Sequence, residues 1–182
     1  MGIAVAQKAV EAGHAVTLLL GPGPLIQDLP EDCRVERFSD SAELLQLLEA
    51  HFPRHDTLVM TAAVADYRPA HVAEGKLPSD SHEILVLRLE RTLDLVAQMA
   101  TNRRPNQKVI AFALEQTENL LPNAASKLGR KGADAIVAHP LETLDAESIE
   151  PLWLTASGER AVPGRMSKIE FASWLIDRIE KL

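Results

Sequence analysis

Apolar residues follow two different spacings along this chain, and the two alternate. Short apolar runs predict strands at residues 15–20, 34–38, 57–62, 83–89, 108–114 and 133–138. Apolar residues three or four positions apart predict helices at residues 3–12, 41–52, 93–100, 118–131 and 167–182. The run AVTLLL at residues 15–20 has no polar face, which is typical of a strand buried on both sides of a parallel sheet.

Residues that start and end helices or turns support these elements. Asp40 is a predicted N-cap, and Glu43 three residues later is its predicted capping-box partner. The helix that follows Asp40, at residues 41–52, has an apolar stripe made by Leu44, Leu45, Leu48 and Phe52. Gly132 is placed to end the helix at 118–131, and Ser157-Gly158 predicts a hairpin turn inside residues 150–162.

Repeated strand–helix alternation predicts crossover connections and a mostly parallel sheet. We therefore expect an α/β chain with a Rossmann-like, three-layer, doubly wound sheet, formed as one domain over residues 1–182. No internal repeat divides the chain. Doubly wound folds usually open with a strand and a glycine-rich turn, whereas this chain opens with a helix. Either the fold differs, or that first strand and turn are absent from this chain.

Composition narrows the class of protein. Apolar residues make up 46% and charged residues 25%, and the formal net charge is −7, which argues against a nucleic-acid binder. A local group of lysines can still bind a nucleotide. Cys33 is the single cysteine, so an intrachain disulfide and a cysteine metal cluster are excluded. No run approaches the roughly 18–20 apolar residues of a membrane span, so we expect no membrane partner and a cytoplasmic location.

Candidate chemistry gathers where predicted strands end, because ligands bind there in open α/β sheets. Ala62-Ala63-Val64-Ala65-Asp66 follows one strand, and Ala111 to Glu115 closes another. Lys127 and Lys131 lie four apart, on one face of a helix. Each has an ordinary structural explanation: a turn for Asp66, core for Phe112, a helix cap for Glu115, and the helix dipole for the lysines. Their convergence at one edge favours a phosphate-binding site.

Several known site types are missing from the sequence. GPGP at residues 21–24 is not the G-x-G-x-x-G dinucleotide motif, and no Walker motif or G-x-S-x-G elbow occurs. The six histidines do not have the spacing of metal ligands.

Five segments together resemble a known family. They are AAVADYR at 62–68 with Lys76 ten residues after Asp66, TLDLV at 92–96, AFALEQ at 111–116, KLGRKGADAIVAH at 127–139 and Met166-Ser167-Lys168. In this order they resemble the phosphopantothenoylcysteine synthetase family, the ligase domain of the bacterial coenzyme A biosynthetic flavoprotein. The similarity runs nearly end to end, beginning at MGIAVAQKAVEAGHAVTLLLGP. The family's first strand and glycine-rich turns fall before residue 1.

The resemblance implies a reaction and a site. A nucleotide, CTP in most bacteria, activates the carboxylate of 4′-phosphopantothenate with Mg²⁺, and the amine of cysteine then forms the amide. Asp66 would bind the nucleotide and the metal, Lys76 would be catalytic and contact the nucleotide, and Lys127 and Lys131 would hold the triphosphate. The rest of the nucleotide site would be Ala62, Ala63, Leu93, Asp94, Leu95, Val96 and Phe112. Family members are homodimers, which implies pairing through residues 70–90.

The chain departs from the family pattern at several positions. KLPS at 76–79 lacks two of the family's lysines, Thr92-Leu93-Asp94 replaces N-P-D, and Ala138-His139-Pro140 replaces A-N-D. The family's asparagine linked to the acyl-nucleotide step has no counterpart in this chain. Two alternatives therefore stay open: a nucleotide-binding homologue without ligase activity, and a Rossmann-type NAD(P)-dependent oxidoreductase. The choice between CTP and ATP also stays open.

Overall fold

The computed structural model describes residues 1–23, 29–72, 75, 84–143 and 146–182. Its helices are α1 (Gly2–Glu11), α2 (Ser41–His51), α3 (Leu95–Asn102), α4 (Leu120–Lys131) and α5 (Lys168–Ile179). Its strands are β1 (Val16–Leu20), β2 (Cys33–Arg37), β3 (Thr57–Met60), β4 (Tyr67–Pro69), β5 (Leu89–Arg91), β6 (Lys108–Glu115), β7 (Ala135–Pro140), β8 (Ser148–Ile149), β9 (Leu152–Thr155), β10 (Arg160–Ala161) and β11 (Met166–Ser167). Three single 3₁₀ turns lie at Phe52–Arg54, Thr117–Asn119 and Leu141–Thr143.

A five-stranded sheet forms the centre, in the order β10-β9-β7-β6-β3. β3, β6 and β7 run parallel, and β9 and β10 add an antiparallel edge. The register aligns Met60 of β3 with Ala111 of β6, so these parallel strands end at the same edge of the sheet. The prediction of an α/β fold with a mostly parallel sheet is confirmed, as is the hairpin that turns between β9 and β10.

Helices cover both faces of this sheet because successive side chains of β6 point to opposite sides. Ala111 and Ala113 pack on one face with buried residues of α2, α3 and α4, and Ile110 packs on the other with α1 and α5. β6 and β7 have apolar residues on both faces, which is what a strand covered on both sides requires.

β1 and β2 form a separate two-stranded parallel sheet. A mainly apolar cavity of about 400 Å³ separates β1 from β3, with side chains of Val16–Leu19 on one wall and Thr57–Ala62 on the other. The expectation that residues 15–20 are buried on both faces is therefore wrong: every residue of β1 is only partly buried. The cavity leaves one edge of β1 and part of its surface open.

At the helix ends, one predicted capping contact is wrong and one capping box was not predicted. The Asp40 carboxylate caps α2 by accepting from the backbone N–H groups of Ala42 and Glu43, as predicted. The Glu43 carboxylate, however, accepts from the N–H and hydroxyl of Ser39 rather than closing a box with Asp40. A reciprocal capping box is found instead at the start of α5. Gly132 ends α4 as predicted, in the left-handed region at φ 61°.

The predicted strand at residues 83–89 is largely wrong. Residues 84–88 are not in a strand, and Glu83 lies outside the described residues. A strand forms only at Leu89–Arg91, paired antiparallel with Tyr67–Pro69. The apolar side chains before it are exposed, Ile84 by 78% and Val86 by 85%. An apolar run becomes a strand only where a neighbour pairs with it and covers one face.

None of the helices in the described part of the chain has the length and apolar character needed to cross a membrane.

Candidate functional site

An open strip of small side chains follows β3 at the carboxyl edge of the sheet. The backbone leaves the sheet after Met60, and Ala62, Ala63 and Ala65 are all exposed. β6 lies beside β3 in parallel register, so this strip is next to the carboxyl end of β6. Methyl side chains leave room for a flat ligand to approach the backbone closely.

Asp66 lies at the end of this strip with an exposed side chain. Its carbonyl oxygen accepts a hydrogen bond of 2.9 Å from the backbone N–H of Thr92, which ties it to the segment that leads into α3. No group of three or more histidine, cysteine or acidic side chains in the described part of the chain could hold a metal ion. One carboxylate together with ligand phosphates is a common way to hold Mg²⁺, and Asp66 fits that arrangement.

Asp94 and Lys131 form an ion pair across α3 and α4. Lys131 Nζ donates to both carboxylate oxygens of Asp94, at 2.9 and 2.8 Å. Asp94 also caps α3 by accepting from the N–H of Ala97 at 3.1 Å. Partial burial acts to raise the pKa of this carboxyl group, but the Lys131 ammonium and the Ala97 N–H outweigh it and hold the pKa below its ordinary value. The lysine predicted to bind phosphate is thus paired with a carboxylate.

The lowered pKa of Asp94 predicts a pH dependence of stability. A depressed folded-state pKa contributes stability above the ordinary carboxyl pKa of about 4, and that contribution is lost as pH falls through the folded-state pKa. Asp94→Asn keeps an N-cap residue but removes the charge. We expect the wild type to unfold at higher urea concentration than the variant at pH 6 and the difference to shrink by pH 3. An unchanged difference across that range would contradict the ion pair.

Lys127 is held in a second ion pair by Glu115. The Glu115 side chain is 7% exposed, and its Oε1 faces Lys127 Nζ as an ion pair without a directed hydrogen bond. Asn123 Nδ2 donates to the other oxygen, Oε2, at 2.8 Å. In the sequence, Glu115 stands out only as the end of a candidate strand and as a possible helix cap, and nothing marks Asn123. No periodicity relates a residue at the end of β6 to the middle of α4, so only the packing identifies this contact.

The residues of the segment 93–96, which is predicted to line the nucleotide site, differ in how deeply they are buried. Leu93 is 52% exposed, whereas Leu95 and Val96 are buried in the core beneath α3. The latter two could therefore meet a ligand only through their backbone N–H groups in the first turn of α3. Leu93 and Asp94 are the two side chains of this segment within reach of a ligand at the surface.

Phe112 lies on the opposite face of the sheet from the two ion pairs. Its ring is 6.3 Å from that of Phe171 in α5 and 6.5 Å from that of His139, centroid to centroid. His139 Nδ1 is 2.7 Å from the Thr143 hydroxyl, and burial followed by the charge of Lys168 lowers the pKa of this histidine. The structure therefore links Asp66 through Thr92 to the segment that carries Asp94, and links Asp94 to Lys131, one helical turn from Lys127, but it leaves Phe112 on the other face of the sheet. Lys76 lies outside the described residues.

A family model described as the DNA/pantothenate metabolism flavoprotein C-terminal domain matches residues 1–182. The coenzyme A biosynthesis bifunctional protein CoaBC of Mycobacterium tuberculosis is 32% identical over 189 residues, covering 98% of this chain and 45% of that protein. CoaBC of Borreliella burgdorferi is 27% identical over 176 residues, covering 97% of the chain and 44% of that protein. A cysteine/cysteine sulfinic acid decarboxylase from an unknown prokaryote is 37% identical over 142 residues, covering 78% of the chain and 39% of that protein. The chain thus spans less than half the length of these relatives.

Solved structures show the same fold. The C-terminal domain of a CoaBC protein superposes with a TM-score of 0.81 at 30% identity, over 99% of this chain and 80% of that one. The H337A mutant of Cab2, solved in complex with phosphopantothenate-cysteine, superposes with a TM-score of 0.64 at 15% identity, over 83% of this chain and 54% of that one. This second likeness shows the fold alone.

Proposed function

Since the chain belongs to the DNA/pantothenate metabolism flavoprotein C-terminal domain family, we propose that it joins 4′-phosphopantothenate to cysteine in coenzyme A biosynthesis. A nucleotide, CTP or ATP, would activate the acid. Two relatives named for coenzyme A biosynthesis and a superposing domain of one such protein support this proposal. The relative named as a decarboxylase is a longer protein, of which this chain covers 39%.

The observation that carries the proposal is a connected set of charged side chains that begins at the end of the alanine strip. The backbone carbonyl of Asp66 bonds to Thr92, two residues before Asp94. Asp94 pairs with Lys131 of α4, and Lys127, one turn earlier on the same helix, pairs with Glu115 at the carboxyl end of β6. A nucleotide lying over the alanines would bring its phosphates to these side chains. The same edge is where open α/β sheets bind ligands.

The proposed reaction has two displacements. The carboxylate of 4′-phosphopantothenate attacks the α-phosphorus of the nucleotide, and pyrophosphate leaves. The amine of cysteine then attacks the acyl carbon, loses a proton, and releases the nucleoside monophosphate. The phosphate contacts would fall to Lys127 and Lys131, since ammonium groups can follow a phosphate through both steps. Lys76 is proposed, from the resemblance alone, to contact the acyl-nucleotide.

Asp66 is the proposed metal residue. When bound, Mg²⁺ would order the triphosphate and draw off negative charge as pyrophosphate leaves. The Asp66 carboxylate would hold the ion against the phosphates, and the Thr92 hydrogen bond would fix the backbone that carries it. Leu93 and the first-turn N–H groups of α3 would border the nucleotide.

The proposal is tested by incubating the chain with 4′-phosphopantothenate, cysteine, Mg²⁺ and either CTP or ATP. Mass spectrometry should detect phosphopantothenoylcysteine together with stoichiometric pyrophosphate and nucleoside monophosphate. Nucleotide binding without amide formation would favour a non-catalytic homologue. Binding of NADPH in place of CTP and ATP would favour the oxidoreductase, and a product that has lost carbon dioxide would favour a decarboxylase.

We further propose a single domain with a doubly wound, Rossmann-like sheet and a cytoplasmic location, in which a further strand lies between β1 and β3. The cavity between β1 and β3 supports that strand, since a strand there would join the two sheets. The reading frame upstream of Met1 provides the check. A strand followed by G-x-T-x-E and S-x-x-S-S-G would support the ligase, and G-x-G-x-x-G would support the oxidoreductase.

We also propose a homodimer formed through residues 70–90. Among the described residues of this segment, Val72, Ile84, Val86 and Leu87 are all more than 60% exposed. Exposed apolar groups of this kind mark interaction surfaces. We expect sedimentation to give twice the chain mass of 19.9 kDa and Val86→Glu to raise the dimer dissociation constant by more than about tenfold.

Val162→Glu is the matched control for this prediction, because Val162 is also an exposed valine, at 61%, and follows β10 on a different part of the fold. That variant should remain dimeric. Equal dissociation of both variants, or a monomeric wild type, would remove residues 70–90 as the interface.

A further inference from the structure

The two lysines of the candidate site are each neutralised by a carboxylate. Lys127 pairs with Glu115, and Lys131 pairs with Asp94. Lys127 and Lys131 lie one helical turn apart on α4, so the two pairs are neighbours. Within the two pairs, each positive charge is therefore offset by one negative charge. Asp66 adds a carboxylate to the proposed site, and the charge of Arg130 also acts on Asp94.

On this basis we propose that Glu115 and Asp94 make nucleotide binding depend on a divalent cation. The inference rests on the proposed function, because it concerns the triphosphate of the same nucleotide. A polyanion approaching the two pairs meets ammonium groups whose attraction is reduced by the carboxylate beside each of them. A cation held by Asp66 and the phosphates would supply the missing positive charge.

The two pairs differ in how freely they can change partners. Glu115 is almost fully buried and keeps Asn123 as a second partner, so its charge remains fixed beneath Lys127. Salt screens such a buried charge much less than a surface charge. Asp94 is 39% exposed and is stabilised by its position at the N-terminus of α3. Lys131 can therefore leave Asp94 for a phosphate, whereas Lys127 meets a phosphate while still paired.

Removing either carboxylate charge should make nucleotide binding less dependent on the divalent cation. In Glu115→Gln and Asp94→Asn the side-chain shape is kept and the surface gains one net positive charge. Metal-free affinity for the nucleotide should then rise, while affinity in the presence of Mg²⁺ changes less. A carboxylate that served only the fold would alter both affinities together through loss of folded protein.

The test is calorimetric titration of the full chain with CTP, and with ATP in parallel, in Mg²⁺ and in EDTA. For the wild type we expect EDTA to weaken binding by more than about tenfold, and for each variant by less than about threefold, as expected when one partner of a charge interaction is removed. Glu118→Gln is the control, because Glu118 is exposed, lies three residues from Glu115 and should keep the wild-type ratio. Thermal unfolding of each variant confirms that folded protein is compared.

The outcomes separate this inference from the proposed function. Equal Mg²⁺ dependence in the wild type and both variants would overturn the inference alone. Wild-type binding that is the same in EDTA as in Mg²⁺ would also overturn it. Failure of CTP and ATP to bind the wild type in Mg²⁺ would overturn the proposed function and the inference together.

Discussion

Asp66→Asn is expected to lower nucleotide-dependent amide formation by about two orders of magnitude, as when one electrostatic group at a reacting centre is lost. The amide oxygen of asparagine cannot supply the negative charge that a Mg²⁺ ligand requires. Asp66 has an exposed side chain, and its structural contact is made by the backbone carbonyl, which the substitution leaves in place. The variant should therefore fold normally. Pyrophosphate release in the presence of all substrates, measured across a Mg²⁺ titration, reports the change.

Asp56→Asn is the matched control for this prediction. Asp56 precedes β3 at the opposite edge of the sheet, and its backbone carbonyl likewise accepts a hydrogen bond from a backbone N–H, that of Lys108. Activity of the control should equal that of the wild type. If Asp66→Asn retains full activity with an unchanged Mg²⁺ requirement, the metal role of Asp66 is wrong.

Ala63→Leu is expected to prevent nucleotide binding while the chain stays folded. Ala63 is exposed in the strip after β3, so a larger side chain enters the space above the strip rather than the core. Overpacking a close contact costs about 1–3 kcal/mol, which corresponds to a rise in the dissociation constant of roughly five- to 150-fold. Titration calorimetry with CTP and ATP measures this loss, and the urea midpoint checks the fold.

Ala50→Leu provides the comparison, because Ala50 is an exposed alanine in α2, away from the strip. Its nucleotide affinity should match that of the wild type. Unaltered affinity of Ala63→Leu for both nucleotides would falsify the assignment of the strip as the nucleotide surface.

The candidate site could be predicted from the sequence as far as it depends on where strands end. Asp66 and the alanines follow an apolar run directly, and Lys127 and Lys131 share a helix face at spacing four, so local patterns are enough to predict them as candidates. The carboxylates that pair with the two lysines could not be predicted from such local patterns. Lys131 meets Asp94 across 37 positions of the chain, and Lys127 meets Glu115 from a different element. Such pairs depend on how α4 packs against α3 and β6.

Burial decided which residues of a predicted segment can act. Leu93 to Val96 form one sequence segment, yet α3 turns Leu95 and Val96 into the core and leaves Leu93 exposed. Phe112 neighbours Ala111 and Ala113 in sequence, but strand alternation puts its ring on the α1 and α5 face.

By itself the sequence determined most of the helices and strands and the parallel strand–helix order, because these follow from hydrophobic period and local capping. Only the tertiary structure decided that residues 84–88 lack a strand partner, that a cavity separates β1 from β3, and that both site lysines are paired with carboxylates. These features depend on which distant segments come together. Hydrophobic spacing records which face of an element is buried, but not which element covers it.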